Sequence, residues 1–228
     1  MKPLRDWDDL PEFMRTEAVR PYYDHLKKHE IALYLKRAFD IVAASVLLII
    51  LAPVMVVIAV WIKLDSPGPV FFRQTRVTQY GKEFRIFKFR TMVNNADKNG
   101  SAVTVGGDSR ITNVGSVIRQ YRIDEFPQLF NVLAGDMSFV GTRPEVKKYV
   151  KAYTDEMFAT LLLPAGITSE ASIQYKDENM LLSTADDIDA TYINKVLPEK
   201  MIWNLKALKQ FNGLFEVLLM IRTVLAVI

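Results

Sequence analysis

Between residues 119 and 143 the chain gathers its densest set of chemically capable groups: Arg119, Arg122, Asp124, Glu125 and Arg143. Guanidinium groups bind phosphate oxygens in a fork, and carboxylates ligate hard divalent cations. Two adjacent acids flanked by arginines therefore suit the handling of phosphate with a metal. A carboxylate can also attack phosphorus and carry an aspartyl phosphate. Phosphoryl transfer asks for little more than positioning, a metal and positive charge near the equatorial oxygens. A structural explanation competes. Asp124 could cap a helix that opens at Pro127, with Glu125 in its first turn complementing the helix dipole. The residue types leave both open.

Other chemistries are excluded or poorly served. The 228 residues contain no cysteine, which removes disulfides, thiolate zinc sites and a cysteine nucleophile. His25 and His29 stand four apart, but Lys27 and Lys28 crowd them, so a solvated face explains the pair better than a metal. Neither G-x-x-x-x-G-K nor G-x-G-x-x-G occurs, which argues against a P-loop or Rossmann nucleotide site. A net charge of +3 is too small to argue for nucleic acid.

The elements that must position the acids are legible in outline. Val117, Ile118 and Tyr121 suit one helix, and Phe126, Leu129, Phe130, Val132 and Leu133 suit a second. A turn-rich stretch leads to Arg143, and a third helix is expected from Glu145 to about Leu162, stopped by Pro164 and Gly166. Upstream, VFFRQTRV and EFRIFKFRTM alternate apolar and basic residues around Tyr80-Gly81-Lys82, which predicts a β-hairpin. Residues 93 to 114 read as a polar loop. An amphipathic helix is expected over Glu199–Phe211, and the apolar stretch Leu214–Ile228 would dock on the core or lie in a membrane interface.

A helix from about Tyr22 to Phe39 leads into an uncharged segment, Ile41 to Ile62. At 1.5 Å per residue it reaches about 33 Å, enough to cross a bilayer core of about 30 Å. Pro53 lies at its middle and favours a kink by removing the hydrogen bond to the Ile49 carbonyl. Lys27, Lys28, Lys36 and Arg37 precede the segment, and Lys63, Arg73, Arg76, Lys82, Arg85, Lys88 and Arg90 follow it. The positive-inside rule places both flanks in the cytoplasm, which only a re-entrant helix satisfies. Kinked spanning helices are nonetheless common, so the residues alone leave both topologies open.

Many short motifs then occur in fixed order: Lys36-Arg37-Ala38-Phe39-Asp40, the apolar segment with Pro53, Val70-Phe71-Phe72-Arg73-Gln74, Phe87-Lys88-Phe89-Arg90-Thr91-Met92, Asp108-Ser109-Arg110-Ile111-Thr112, Ile123-Asp124-Glu125-Phe126-Pro127-Gln128-Leu129, Asn131-Val132-Leu133, Gly135-Asp136-Met137-Ser138 and Val140-Gly141-Thr142-Arg143-Pro144-Glu145. Over about residues 36 to 170 the chain resembles the bacterial sugar transferases of the monotopic phosphoglycosyl transferase family. It departs from them at Thr142, where members often have Pro, and at Phe126, where Leu is commoner.

The resemblance implies an α+β domain, mostly α, with a helix that enters the membrane, bends at Ala52-Pro53 and returns. It implies interfacial amphipathic helices and a small β-hairpin. The corresponding organisation is an N-terminal cytoplasmic helical arm (1–35), the re-entrant helix (36–63) and a cytoplasm-facing catalytic domain at the interface (64–228), the minimal catalytic form of the family on the bacterial inner membrane. The implied reaction moves a sugar 1-phosphate from a UDP-sugar to undecaprenyl phosphate and releases UMP. Asp124 would be the nucleophile, Glu125 its partner at Mg²⁺, and Arg143, Arg119, Lys88 and Arg90 the phosphate-binding groups. The implied partners are the UDP-sugar, undecaprenyl phosphate and the lipid bilayer, without nucleic acid and with a homodimer left open. Two rivals stand beside this: a lipid phosphatase or phosphodiesterase using the same dyad, and a membrane-anchored interaction module in which the acids only cap a helix.

Overall fold

The computed structural model describes residues 2–94, 96, 108–175, 182, 185 and 187–212. The expected apolar stretch Leu214–Ile228 lies outside them, as do the middle of the polar loop and most of residues 176–186. Among the described residues the fold is mostly helical, with two small two-stranded sheets.

The helix expected over Tyr22–Phe39 is two helices. α1 (Arg20–Lys28) buries Tyr22, Tyr23 and Leu26, and the chain breaks at His29. α2 (Glu30–Asp65) then absorbs the second half together with the apolar segment. His25 and His29 each place a ring nitrogen on a backbone carbonyl, of Phe211 at 3.2 Å and of His25 at 3.0 Å, so both serve the packing of this corner.

α2 has 36 residues and is long and apolar enough to cross a membrane. Its helical winding continues through Pro53, and Ala52 and Pro53 are both exposed. One stripe, Leu33, Asp40, Ala44, Met55, Ile58 and Ile62, is buried against the rest of the protein at spacings that a helix face requires. The opposite stripe, with Ile31, Leu35, Val42, Ile49, Val56 and Leu64, is 63% to 81% exposed. Both ends are fastened to the same body. Arg37 donates to the Val132 and Leu133 carbonyls at 2.7 and 3.0 Å, and buried Asp40 accepts from Ser138 Oγ at 2.7 Å and the Phe139 amide at 3.2 Å. At the far end Asp65 accepts from the Val114 amide at 3.2 Å.

The hairpin forms as expected: β1 (Phe71–Val77) pairs antiparallel with β2 (Glu83–Phe89), from Phe71 opposite Phe89 to Val77 opposite Glu83. After it come α3 (Asn113–Gln120) and α4 (Gln128–Ala134). The turn-rich stretch beyond holds a strand, β3 (Met137–Val140), parallel to β4 (Ala165–Thr168). Four-residue strands are too short to display period two. Glycines close this sheet: a Cβ on Gly166 would stand 2.2 Å from the Gly141 nitrogen.

The long helix expected over Glu145–Leu162 is absent. The chain forms α5 (Lys147–Val150) and a 3-10 stretch, Met157–Leu162. Ala159 to Leu163 are five consecutive buried residues, which no single face of an α-helix supplies. Beyond β4, α6 (Glu170–Gln174) and α7 (Ile188–Thr191) precede a π turn (Tyr192–Val196) that leads into α8 (Leu197–Lys209). The N-terminal residues Leu4, Leu10, Met14 and Val19 are buried in one core with α1, Tyr149, Leu162, Val196 and Met201. Two further clusters lie along α2. Ala44 meets Phe84, Ile86, Leu129 and Val132, and Met55, Ile58 and Ile62 meet Phe89, Val114 and Ile118.

Candidate active site

Asp124 and Glu125 lie at the corner between α3 and α4. Thr112 caps α3 by accepting from the Gly115 amide at 3.0 Å. Arg122 then adopts the left-handed conformation, φ 54°, which turns the chain into a short 3-10 segment, Ile123–Glu125. α4 opens at Gln128 behind Pro127 with no side-chain cap. Asp124 therefore caps neither helix, and the structural explanation does not account for it. Ile123 and Phe126 pack into the cluster around Met55, Ile58 and Ile62. The carboxylates between them are thereby held beside the C-terminal half of the apolar helix.

The acids differ in their surroundings. Lys88 Nζ stands 2.9 Å from Glu125 Oε1 and 3.8 Å from Asp124 Oδ2. Arg143 forks onto Glu125, with Nη2 donating to Oε1 and Nη1 at 3.4 Å from Oε2. Glu125 is thus clamped by two cations. Asp124 accepts no hydrogen bond among the described residues, although its side chain is only 13% exposed. Burial, opposed by Lys88 and reinforced by Glu125, holds the Asp124 carboxyl above the ordinary aspartate value of 3.8. For Glu125 burial acts in the same sense, but the combined pull of Arg143 and Lys88 outweighs it and holds the carboxyl well below its usual range. One acid is pinned and charged; the other is poised.

Lys88 reaches the dyad because β2 is fixed against α4. Phe84 and Ile86, on the same strand face as Lys88, pack against Leu129 and Val132. Asn131 of α4 then pairs with the free edge of β2 as a neighbouring strand would. It accepts from the Phe87 amide at 2.8 Å and donates to the Arg85 carbonyl at 3.1 Å. No periodicity announces such a residue. The available signal is a polar side chain among the apolar positions Leu129, Val132 and Leu133.

Arg143 is carried by the segment after β3. The Gly166 amide donates to the Thr142 carbonyl at 2.9 Å, the Val77 amide to the Glu145 carbonyl at 2.9 Å, and Arg76 to the Pro144 carbonyl at 3.1 Å. Buried Glu145 accepts from the Tyr192 hydroxyl at 2.6 Å. Residues from β1, β4 and the π turn thus all fix this segment.

The remaining predicted residues are distributed unequally. Arg119 stands 3.4 Å from Thr91 Oγ1 and favours the charged form of Asp124 electrostatically. Arg90 is buried and donates to the Pro67 and Ser66 carbonyls at 2.7 and 2.8 Å, so it closes the end of α2 and contacts neither acid. Arg122 is exposed and contributes its backbone turn. Asp124, Glu125, Lys88 and Arg143 are the set brought together, with Arg119 beside them.

This arrangement offers a carboxylate that accepts no hydrogen bond among the described residues, a pinned carboxylate and, with Arg119 beside Lys88 and Arg143, an excess of positive charge for an anionic ligand. No group of three or more His, Cys, Asp or Glu side chains that could hold a metal occurs among the described residues. The donor set instead fits Mg²⁺, which is commonly bound through one or two carboxylates and substrate phosphates.

Residues 31–228 match the family model described as Bacterial sugar transferase. The UDP-N-acetylgalactosamine-undecaprenyl-phosphate N-acetylgalactosaminephosphotransferase of Aeromonas hydrophila is 36% identical over 227 residues, covering 94% of this chain and 50% of that protein. The UDP-glucose:undecaprenyl-phosphate glucose-1-phosphate transferase of Caulobacter vibrioides is 44% identical over 142 residues, 61% of this chain and 53% of the relative. The protein of the same name in Escherichia coli is 40% identical over 167 residues, 71% of this chain and 35% of the relative. The chain spans about half the length, or less, of these relatives.

Proposed function

Since the chain belongs to the bacterial sugar transferase family, we propose that it transfers a sugar 1-phosphate from a UDP-sugar to undecaprenyl phosphate, releasing UMP and starting a membrane-linked glycan. The observation that carries this reading is the division of labour in the dyad. Glu125 is clamped by Lys88 and Arg143, while Asp124 beside it is poised and accepts no hydrogen bond among the described residues.

The reaction runs in two displacements. An Asp124 carboxylate oxygen attacks the phosphorus bearing the sugar. The new bond joins Asp124 to that phosphorus, and the bond to the UMP oxygen breaks, with UMP carrying away the electron pair. An oxygen of undecaprenyl phosphate then attacks the same phosphorus. The sugar diphospholipid forms, and Asp124 returns as a carboxylate. Lys88, Arg119 and Arg143 neutralise the phosphoryl oxygens at both displacements. Asp124 and Glu125 would hold Mg²⁺, which when bound supplies Lewis-acid charge to the diphosphate.

The apolar helix delivers the lipid acceptor. One stripe of α2 packs on the catalytic body from Leu33 to Ile62, and both its ends are fastened to that body. A helix crossing the bilayer would carry the charged hairpin and the dyad into hydrocarbon with it. A domain seated on one leaflet, with the bare stripe of α2 in lipid and the dyad at the cytoplasmic surface, avoids that cost. The inner membrane is then the site of action.

The test is to mix purified protein in detergent with undecaprenyl phosphate, Mg²⁺ and a panel of UDP-sugars, and to measure UMP. Release with one sugar, dependent on Asp124, is expected. Free sugar phosphate instead of a lipid product would indicate a phosphodiesterase. Full activity in well-folded Asp124→Asn would overturn the mechanism.

A further inference from the structure

Gln128 is 1% exposed, yet its amide nitrogen has no acceptor among the described protein groups. A buried N–H without a partner is costly, and native proteins rarely leave one. Two buried arginine nitrogens share this condition, Arg73 Nε and Arg90 Nε, but each belongs to a guanidinium that bonds a carbonyl through another nitrogen.

The position of Gln128 gives the free N–H a meaning. From Ile123 into the start of α4 the winding is tight: the Phe126, Leu129 and Phe130 amides each bond the carbonyl three residues back. In such winding side chains three apart lie over one another, and in the α-helix that follows they are neighbours on one face. Glu125, Gln128 and Asn131 therefore form one stripe. Its upper member meets Lys88 of β2, and its lower member meets the backbone of β2 at Arg85 and Phe87. Gln128 lies between them in this stripe and follows Asp124 by four residues, about one helical turn. Lys88 and Arg143 carry donors only, and no described protein group accepts from the Gln128 amide nitrogen. An acceptor brought by a ligand would satisfy it.

We propose that Gln128 touches substrate: its carboxamide N–H donates to a non-bridging oxygen of the phosphoryl group that passes through Asp124. This rests on the reading of the dyad as the transfer site. A neutral donor in this place adds to the charged groups without repelling the metal, and it holds the phosphorus in line with the attacking carboxylate.

The variants Gln128→Met and Gln128→Glu, with wild type, separate the outcomes. Met keeps the volume and removes the polar group, so the thermal midpoint of the free protein should hold or rise. kcat/KM for UMP release should fall about ten- to a hundredfold, the scale of one hydrogen bond to a charged group, and the midpoint rise on adding the preferred UDP-sugar with Mg²⁺ should shrink. Glu keeps the shape and replaces the donor by negative charge, so its loss should be larger. A Met variant with kcat/KM within twofold of wild type overturns the proposal and assigns the N–H to a bridging water. A Met variant with a lowered midpoint also overturns it, since Gln128 then supports the fold. Wild type that releases no UMP from any UDP-sugar overturns the transfer reading and this inference together, whereas an active wild type confines a failure to Gln128.

Discussion

Replacing Asn131 by Leu should damage both stability and turnover, because one side chain does the work of a missing strand. Asn131 is buried and makes two hydrogen bonds to the backbone of β2, at 2.8 and 3.1 Å. Leucine fills the space but leaves the Phe87 N–H without its partner, while the Arg85 carbonyl keeps only the bond from Arg73 Nη2 at 3.0 Å. The orphaned amide costs about 1–3 kcal/mol and the lost bond to the carbonyl about 1 kcal/mol, so the change costs about 2–4 kcal/mol, partly offset by the added apolar contact. In a protein of this size 1 kcal/mol moves the midpoint by about 2–4 °C, which gives a fall of about 5–15 °C. The same edge sets where Lys88, one residue beyond Phe87, meets Glu125 at 2.9 Å. Misplacing a charged group by about 1 Å costs about a hundredfold in rate. Thermal unfolding followed by circular dichroism, paired with UMP release well below the midpoint, measures both effects. A midpoint within 2 °C of wild type (about 1 kcal/mol or less) and unchanged turnover would refute this account of how β2 is held.

Other predictions follow from the same geometry. Asp124 must be ionised to attack, and its carboxyl is held above 3.8, so kcat/KM should rise with pH through a midpoint above that value. Lys88→Met removes a charge that favours the ionised form and should move that limb further up while lowering the rate; a limb that stays put would separate Lys88 from Asp124. The sign for stability is the reverse: a raised carboxyl contributes below pH 3.8 and that contribution is lost as pH rises through its folded value. Gly166→Ala places a methyl 2.2 Å from the Gly141 nitrogen and should cost several kcal/mol and lower turnover through Arg143; wild-type stability would contradict the close contact of β3 and β4. Cysteines at Arg5 and Lys209 should both resist a membrane-impermeant thiol reagent added outside intact cells; labelling of one alone would require a spanning helix.

The sequence carried those parts whose residues repeat in a local pattern. The alternation in VFFRQTRV and EFRIFKFRTM foretells the hairpin, and the uncharged run Ile41–Ile62 foretells the body of α2. Asp124, Glu125 and Arg143 are conspicuous as a cluster of charge, and they do meet. What the pattern hides depends on contacts distant in sequence. The break at His29 follows from the different partners of α1 and α2. The strands β3 and β4 are too short to show a period. Lys88 lies near the end of β2 and Arg90 just beyond it, yet one clamps the dyad and the other closes the end of a helix. Spacing alone would put both on one face, and the end of the strand separates them.

The most direct test of Asp124 as a covalent carrier is intact-mass analysis after mixing the protein with its UDP-sugar and Mg²⁺, with acceptor lipid left out. The account predicts UMP in solution and an adduct equal to one sugar phosphate on the peptide containing Asp124, discharged when undecaprenyl phosphate is added and absent in Asp124→Asn. UMP formed only when the lipid is present, with no adduct in rapidly quenched samples, would contradict it and place donor and acceptor on the enzyme together.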